Sequence, residues 1–166
     1  MSRRIRELAG TDYAAVLAIN NAAVPAMNSL DAVALEWLVP NASYARVSES
    51  AGTVHAFLIG LAPGTGYPSA NYRWFSERYT DFLYVDRIAV ADDARRTGHG
   101  SALYDDLAAF AAGKWPRIVA EVNLDPPNPG SVAFHERHGF TGVGELAHVY
   151  DGAHAKRVVL MERASP

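Results

Sequence analysis

Cysteine is missing from this chain of 166 residues. Its absence excludes disulfides, thiolate metal sites and a cysteine nucleophile, and nothing here requires an oxidising compartment. A surplus of basic charge is also missing. The formal net charge is -3, which leaves no large positive field for a nucleic acid backbone. Long apolar runs are lacking near the start. The basic Met1-Ser2-Arg3-Arg4-Ile5-Arg6 leads into a stretch broken by Asp12, Asn20 and Asn21. Neither a signal peptide nor a membrane span is expected, and a cytoplasmic protein is the default. No repeat, low-complexity tract or linker divides the chain. With 49% hydrophobic and 20% charged residues it reads as one globular domain over residues 1–166.

Periodicity and turn chemistry order the elements. Arg3 to Leu8 reads as a short strand, and Thr11-Asp12 as the cap of a helix to about Val24, with Tyr13, Val16 and Leu17 on one face. A second helix carries Leu30, Ala34, Trp37 and Leu38, and Pro40 is expected to end it. Tyr44–Ser48 and Val54–Leu61 form a hairpin around Ser50-Ala51-Gly52-Thr53. Pro63 to Tyr79 is long, irregular and aromatic, with room for one helical turn. Its rings either pack locally or line a substrate pocket or subunit contact. Phe82–Val90 is apolar enough for a central strand, and Ser101–Lys114 is helical, with Leu103, Leu107, Phe110 and Ala111 inward. Ile118–Leu124 is a strand. Asn128 and Pro129 open a helix that Gly139 closes. Gly142–Tyr150 and Lys156–Glu162 pair about Asp151-Gly152. The order is β-α-α-β-β-β-α-β-α-β-β, an α/β (α+β) mixed sheet whose central strand–loop–helix–strand unit must be parallel.

The loop inside that unit carries the chemistry. Arg95-Arg96-Thr97-Gly98-His99-Gly100-Ser101 joins an apolar strand to a helix. Backbone N–H groups of such a loop converge on an anion, and the helix N-terminus adds positive partial charge. A Walker loop would end in Gly-Lys-Ser or Gly-Lys-Thr, and a dinucleotide fingerprint would place a third glycine where Leu103 stands. Neither fits.

Arg95-x-x-Gly98-x-Gly100, preceded by Ile88-Ala89-Val90, resembles the pyrophosphate loop of the GNAT superfamily of acyl-CoA-dependent N-acetyltransferases. Asn128-x-x-Ser131-x-x-Phe134-His135-Glu136-x-x-Gly139-Phe140 resembles the second signature of that family, and the element order is also the family's. The resemblance covers nearly the whole chain. It implies acetyl-CoA as co-substrate, with its pyrophosphate over the amides of Arg96 to Ser101. Arg95 and Arg96 either add charge-assisted bonds or stay solvated. The resemblance also implies that strands four and five splay around the pantetheine arm. Backbone groups of Ile88 and Val90, flanking Ala89, would meet that arm and the acetyl carbonyl. Asn128 would bond the arm, cap its helix, or do both.

Acyl transfer to an amine needs a neutral amine, a polarised carbonyl and a stabilised leaving thiolate. A tyrosine often stands in this family where the chain has His135. A histidine there can protonate the thiolate, bond the sulfur, or fill space. His135 and His138 lack a third ligand and the spacing of a zinc helix, so no metal is expected. Asp86 is the favoured general base. It lies in an apolar strand, where an unpaired carboxylate is costly, and strand alternation sends its neighbour Arg87 to the other face. The alternative is a structural ion pair with another element. Glu121 and Asn123 are weaker base candidates. The expected reaction is direct attack by an amine of a small molecule or peptide on the thioester, with no membrane or nucleic acid partner and a possible homodimer. A CoA-binding module without activity, a different phosphate ligand and a larger acyl donor stay open. The acceptor would meet Ala18 to Leu30, Pro63 to Tyr79 and the last hairpin.

Overall fold

The computed structural model describes residues 2–150 and 154–166. Among them, seven strands form one mixed sheet in the order β1-β2-β3-β4-β5-β7-β6. The strands are β1 (Arg4–Glu7), β2 (Tyr44–Ser50), β3 (Thr53–Leu61), β4 (Leu83–Val90), β5 (Arg117–Asp125), β6 (Thr141–Tyr150) and β7 (His154–Ala164). The helices are α1 (Tyr13–Ala22), α2 (Ala32–Asn41), α3 (Ala70–Ser76), α4 (His99–Ala111) and α5 (Pro129–Arg137). The expected parallel unit is present: β4 pairs with β5 at Leu83↔Ile118 and Tyr84↔Val119, and α4 connects them. The chain divides into two compact units, Met1–Leu61 with Asp86–Phe110, and Ala62–Val85 with Ala111–Pro166.

In the first unit β1, β2 and β3 are antiparallel. The β2–β3 turn places Ala51 and Gly52 both at positive φ, the backbone that a two-residue hairpin needs to match strand twist. Val16, Leu35, Leu38, Val47, Phe57, Leu103 and Leu107 are buried in this unit. Each such side chain contributes about 1.5–3 kcal/mol relative to exposure.

Several sequence expectations for this unit shift. Asp12 does not cap α1 with its side chain. Its carboxylate instead accepts from the Ala9 amide at 2.8 Å and pairs with Arg6 at 2.7 Å, closing the short 3-10 turn ahead of the helix. On α2 the buried positions are Leu35 and Leu38, while Trp37 is 38% exposed. Leu30 precedes the helix, whose cap is Asp31, so it could not set the phase of the buried stripe. Pro40 sits inside α2 rather than ending it, one residue before the terminal Asn41. Proline lacks a donor but has a helical φ, so the helix tolerates it in its last turn. On α4 Tyr104 is buried, whereas Phe110 is half-buried, edge-on to Tyr44 with centroids 5.4 Å apart.

In the second unit β5, β7 and β6 form an antiparallel ladder. The turn expected at Asp151-Gly152 lies outside the described residues. The aromatic segment contributes α3, capped by Ser69, and its rings face local partners. Tyr72 and Phe75 are buried, and Tyr72 lies edge-on to Phe82 and Tyr84 at 5.9 and 5.4 Å. A bulge at Val143 shifts the β6–β7 register, and Gly144 beside it leaves room for Trp74. A Cβ on Gly144 would stand 2.6 Å from the indole.

Candidate functional site

The residues expected to form a phosphate loop make a continuous arch in the first unit. Ile88 and Val90 are half-buried at the end of β4, and Ala89 between them is buried. Ala91 then donates its amide to the His55 carbonyl at 2.8 Å, and a 3-10 turn at Asp92–Ala94 leads to Arg95. Arg96 at φ 61 and Gly98 at φ 88 are both left-handed, and Thr97 between them anchors its hydroxyl on the Ala94 carbonyl. The Thr97 amide also turns back, donating to the Ala94 carbonyl at 3.4 Å, so it is spent within the loop and does not face an anion. The first α4 bond runs from the Ala102 amide to the Gly98 carbonyl at 3.0 Å. The amides of His99 and Gly100 therefore have no acceptor within the helix. Glycine at position 98 accommodates the positive φ and the approach of Arg3, whose guanidinium lies 2.9 Å from where a Cβ would be.

His99 holds this arch from within. Its Nδ1 shares a 2.7 Å hydrogen bond with the buried Ser48 hydroxyl, and its ring lies against His55 with centroids 4.8 Å apart. The β2–β3 register skips His55, which is the extra residue of a bulge. Bulges re-aim side chains, and this one gives the loop a ring to rest on. Sequence reasoning identifies His99 and misses both partners, which carry no local signal. Arg95 does not face the arch as a bare charge: it pairs with Asp92 at 2.8 Å, with both side chains exposed.

The surroundings of Asp86 are a correction. Arg87 does not point away from Asp86. The two form an ion pair of 2.8 Å with side chains 4% and 9% exposed. Alternation fixes where each Cβ points, but an arginine stem is long enough to bring its guanidinium back alongside the strand. The same guanidinium donates to Asn20 Oδ1 at 2.9 Å, and the Asn20 amide group donates to the Asn28 carbonyl at 2.9 Å. This network ties β4 to the connection between α1 and α2.

The second unit holds the other predicted residues. Asn128 caps α5 by accepting from the Ser131 amide at 3.3 Å. His135 is buried and its Nδ1–H donates to the Ser131 carbonyl at 2.7 Å, which leaves Nε2 as the acceptor nitrogen of the neutral ring. The Tyr84 hydroxyl donates to Glu121 Oε1 at 2.9 Å, joining β4 to β5 through a carboxylate that is half-buried. Among the described residues, no group of three or more histidines, aspartates or glutamates is placed to hold a metal ion.

A family model described as Acetyltransferase (GNAT) family matches residues 28–140. The chain belongs to the GNAT acetyltransferase family. It is therefore an acyltransferase, and acetyl-CoA is the co-substrate this family uses. No curated protein matches the chain. Among solved structures, the acetyltransferase is similar to Ard1 from Thermoplasma volcanium, at 20% identity and a TM-score of 0.82 over 100% of this chain and 99% of that one. It is similar to a ribosomal-protein-alanine N-acetyltransferase from Brucella melitensis, at 22% identity and 0.74 over 97% and 99%. NAA60 of Arabidopsis thaliana, solved with a bisubstrate analogue, gives 16% and 0.76 over 98% of both chains. At these identities the likeness is one of fold.

Buried His99 and His135 make the stability of the acetyltransferase depend on pH. Burial pulls both below the usual imidazole value of 6.5. Arg3 and His55 push His99 the same way. For His135 the Ser131 bond opposes the shift and His138 adds to it. A depressed histidine binds fewer protons folded than unfolded. The stability it contributes is complete above pH 6.5 and is lost as pH falls below that value. Melting temperature should hold steady from about pH 8 to 6.5 and then decline, before carboxylates titrate near about pH 4. His99→Gln and His135→Asn should each flatten the decline. Equal slopes in variants and parent would show that neither ring is the cause.

Proposed function

We propose that this acetyltransferase transfers the acetyl group of acetyl-CoA directly to a primary amine, with a peptide or protein N-terminus as the favoured acceptor class. The observation that carries the donor side is the left-handed Arg96–Gly98 arch running into α4, whose first-turn amides fit phosphate oxygens. Acceptor class is supported by the neighbours: the Brucella protein is a ribosomal-protein-alanine N-acetyltransferase.

In this mechanism backbone groups of Ile88 and Val90 meet the pantetheine arm and polarise the acetyl carbonyl. Asn128 donates from Nδ2 to the arm while its Oδ1 caps α5. The amine nitrogen forms a bond to the carbonyl carbon, the carbon–sulfur bond breaks, and the amine proton passes to the Glu121 carboxylate. Tyr84 orients that carboxylate through its 2.9 Å bond. Glu121 replaces Asp86 as the base because Asp86 is already neutralised by Arg87. His135 lies neutral at physiological pH with its Nδ1–H on the Ser131 carbonyl, so it has no proton to give the sulfur and is assigned a packing role beside the cofactor rather than that of an imidazolium acid. The resulting thiolate is protonated on release.

The test pairs calorimetric titration of acetyl-CoA with release of CoA thiol in the presence of alanine-, serine- and methionine-initiated peptides. Binding, with thiol release that depends on the peptide amine, is expected. No binding below about 1 mM would overturn the donor assignment. Binding with thiol release only from small-molecule amines would move the acceptor class. For His135, the rate of His135→Phe across the pH range decides: a loss confined to acidic pH would restore the acid role.

A further inference from the structure

Three observations converge on Arg3, a residue outside the sequence motif. Its guanidinium donates to the Thr97 carbonyl at the crown of the arch. The same group crosses Gly98 so closely that a side chain there would meet it at 2.9 Å. Its charge is one of the causes that depress His99. The N-terminal segment brings it there because β1 pairs with β2, Arg4 opposite Glu49, and the neighbouring Ser48 bonds the loop's own histidine. Among the described residues no carboxylate pairs with Arg3. Arg6 is paired with Asp12 and Glu49, and Arg95 with Asp92. A guanidinium carries five N–H donors in a fixed fork, and a carbonyl takes one of them.

We infer that Arg3 is a phosphate ligand of the cofactor loop: the donors it does not give to Thr97 take an oxygen of the CoA diphosphate. This rests on the reading that the arch binds CoA. Arg3 then has two tasks. It holds the crown of the loop in its left-handed form, and it supplies the positive charge that Arg95, shared with Asp92, supplies less of. The glycine at position 98 lets the arginine pass across the loop as well as letting the backbone turn.

The test is titration of CoA into the protein, Arg3→Gln and Arg3→Lys at low and high salt. Arg3 is exposed, so the variants should keep the parent's melting temperature. A charge-assisted bond of this kind corresponds to a loss of about tenfold or more in affinity for Arg3→Gln at low salt. The gap should narrow as salt screens the contact, and Arg3→Lys should keep most of the affinity. Equal affinities for the protein and Arg3→Gln would overturn the assignment. So would a loss of the same size at every salt concentration, which would mean that Arg3 only shapes the loop. Failure of the unaltered protein to bind CoA would overturn the cofactor reading itself, and Arg3 with it.

Discussion

Replacing Arg87 with methionine should destabilise the protein by about 3–5 kcal/mol, the cost of leaving one member of a buried ion pair without its partner. Both side chains are less than a tenth exposed, at 4% for Asp86 and 9% for Arg87. The substitution also removes the donor to Asn20 Oδ1, and with it the tie from β4 to the segment around Asn28. Asp86→Asn combined with Arg87→Met should recover much of the loss, because no charge is then stranded. The two changes should be far from additive. Urea denaturation measures both. A single-variant cost below about 1 kcal/mol would mean that water reaches the pair and that it does not hold β4. This outcome bears on catalysis as well. A base must give up its compensation to accept a proton, and Asp86 has a close and buried cation.

Glu121→Gln should lower kcat by about 10²–10⁴-fold and leave the affinity for acetyl-CoA unchanged, as expected for removal of a positioned base. The amide keeps the size of the side chain and still accepts from Tyr84, so the local fold should survive. Tyr84→Phe should lower kcat by less, since it removes only the bond that orients the carboxylate. It should also shift the alkaline-rising arm of the rate profile, which a purely structural role would not do. An unchanged kcat in Glu121→Gln would remove the residue from the mechanism and leave proton transfer to solvent.

Much of the donor side is legible in the sequence. The loop from Arg95 to Ser101 and the α5 signature from Asn128 to Phe140 are local patterns, and local patterns encode local backbone: a strand, a left-handed turn, a capped helix. The Asn128 cap, the Gly139 terminus at φ 86 and the parallel β4–β5 connection all follow from such patterns and all stand in the fold. The phase of α2 is not legible in the same way, because Leu30 continues the apolar spacing but lies outside the helix. For the aromatic run from Tyr67 to Tyr79, composition leaves both core and pocket open. Tyr72 and Phe75 are core, since α3 turns them toward Phe82 and Tyr84.

By itself the sequence determined the class of fold and the family, because each rests on spacing along the chain, and on the same ground it singled out the loop proposed to hold the phosphates. Tertiary structure alone decided which partner each charged side chain meets. Asp86 against Arg87, Arg95 against Asp92, Tyr84 against Glu121 and Arg3 against Thr97 depend on where long side chains end, which alternation and motif spacing do not specify. Those pairings are the ground on which Glu121 is proposed as base in place of Asp86, and they bring an arginine from the N-terminal segment onto the Arg95–Ser101 loop.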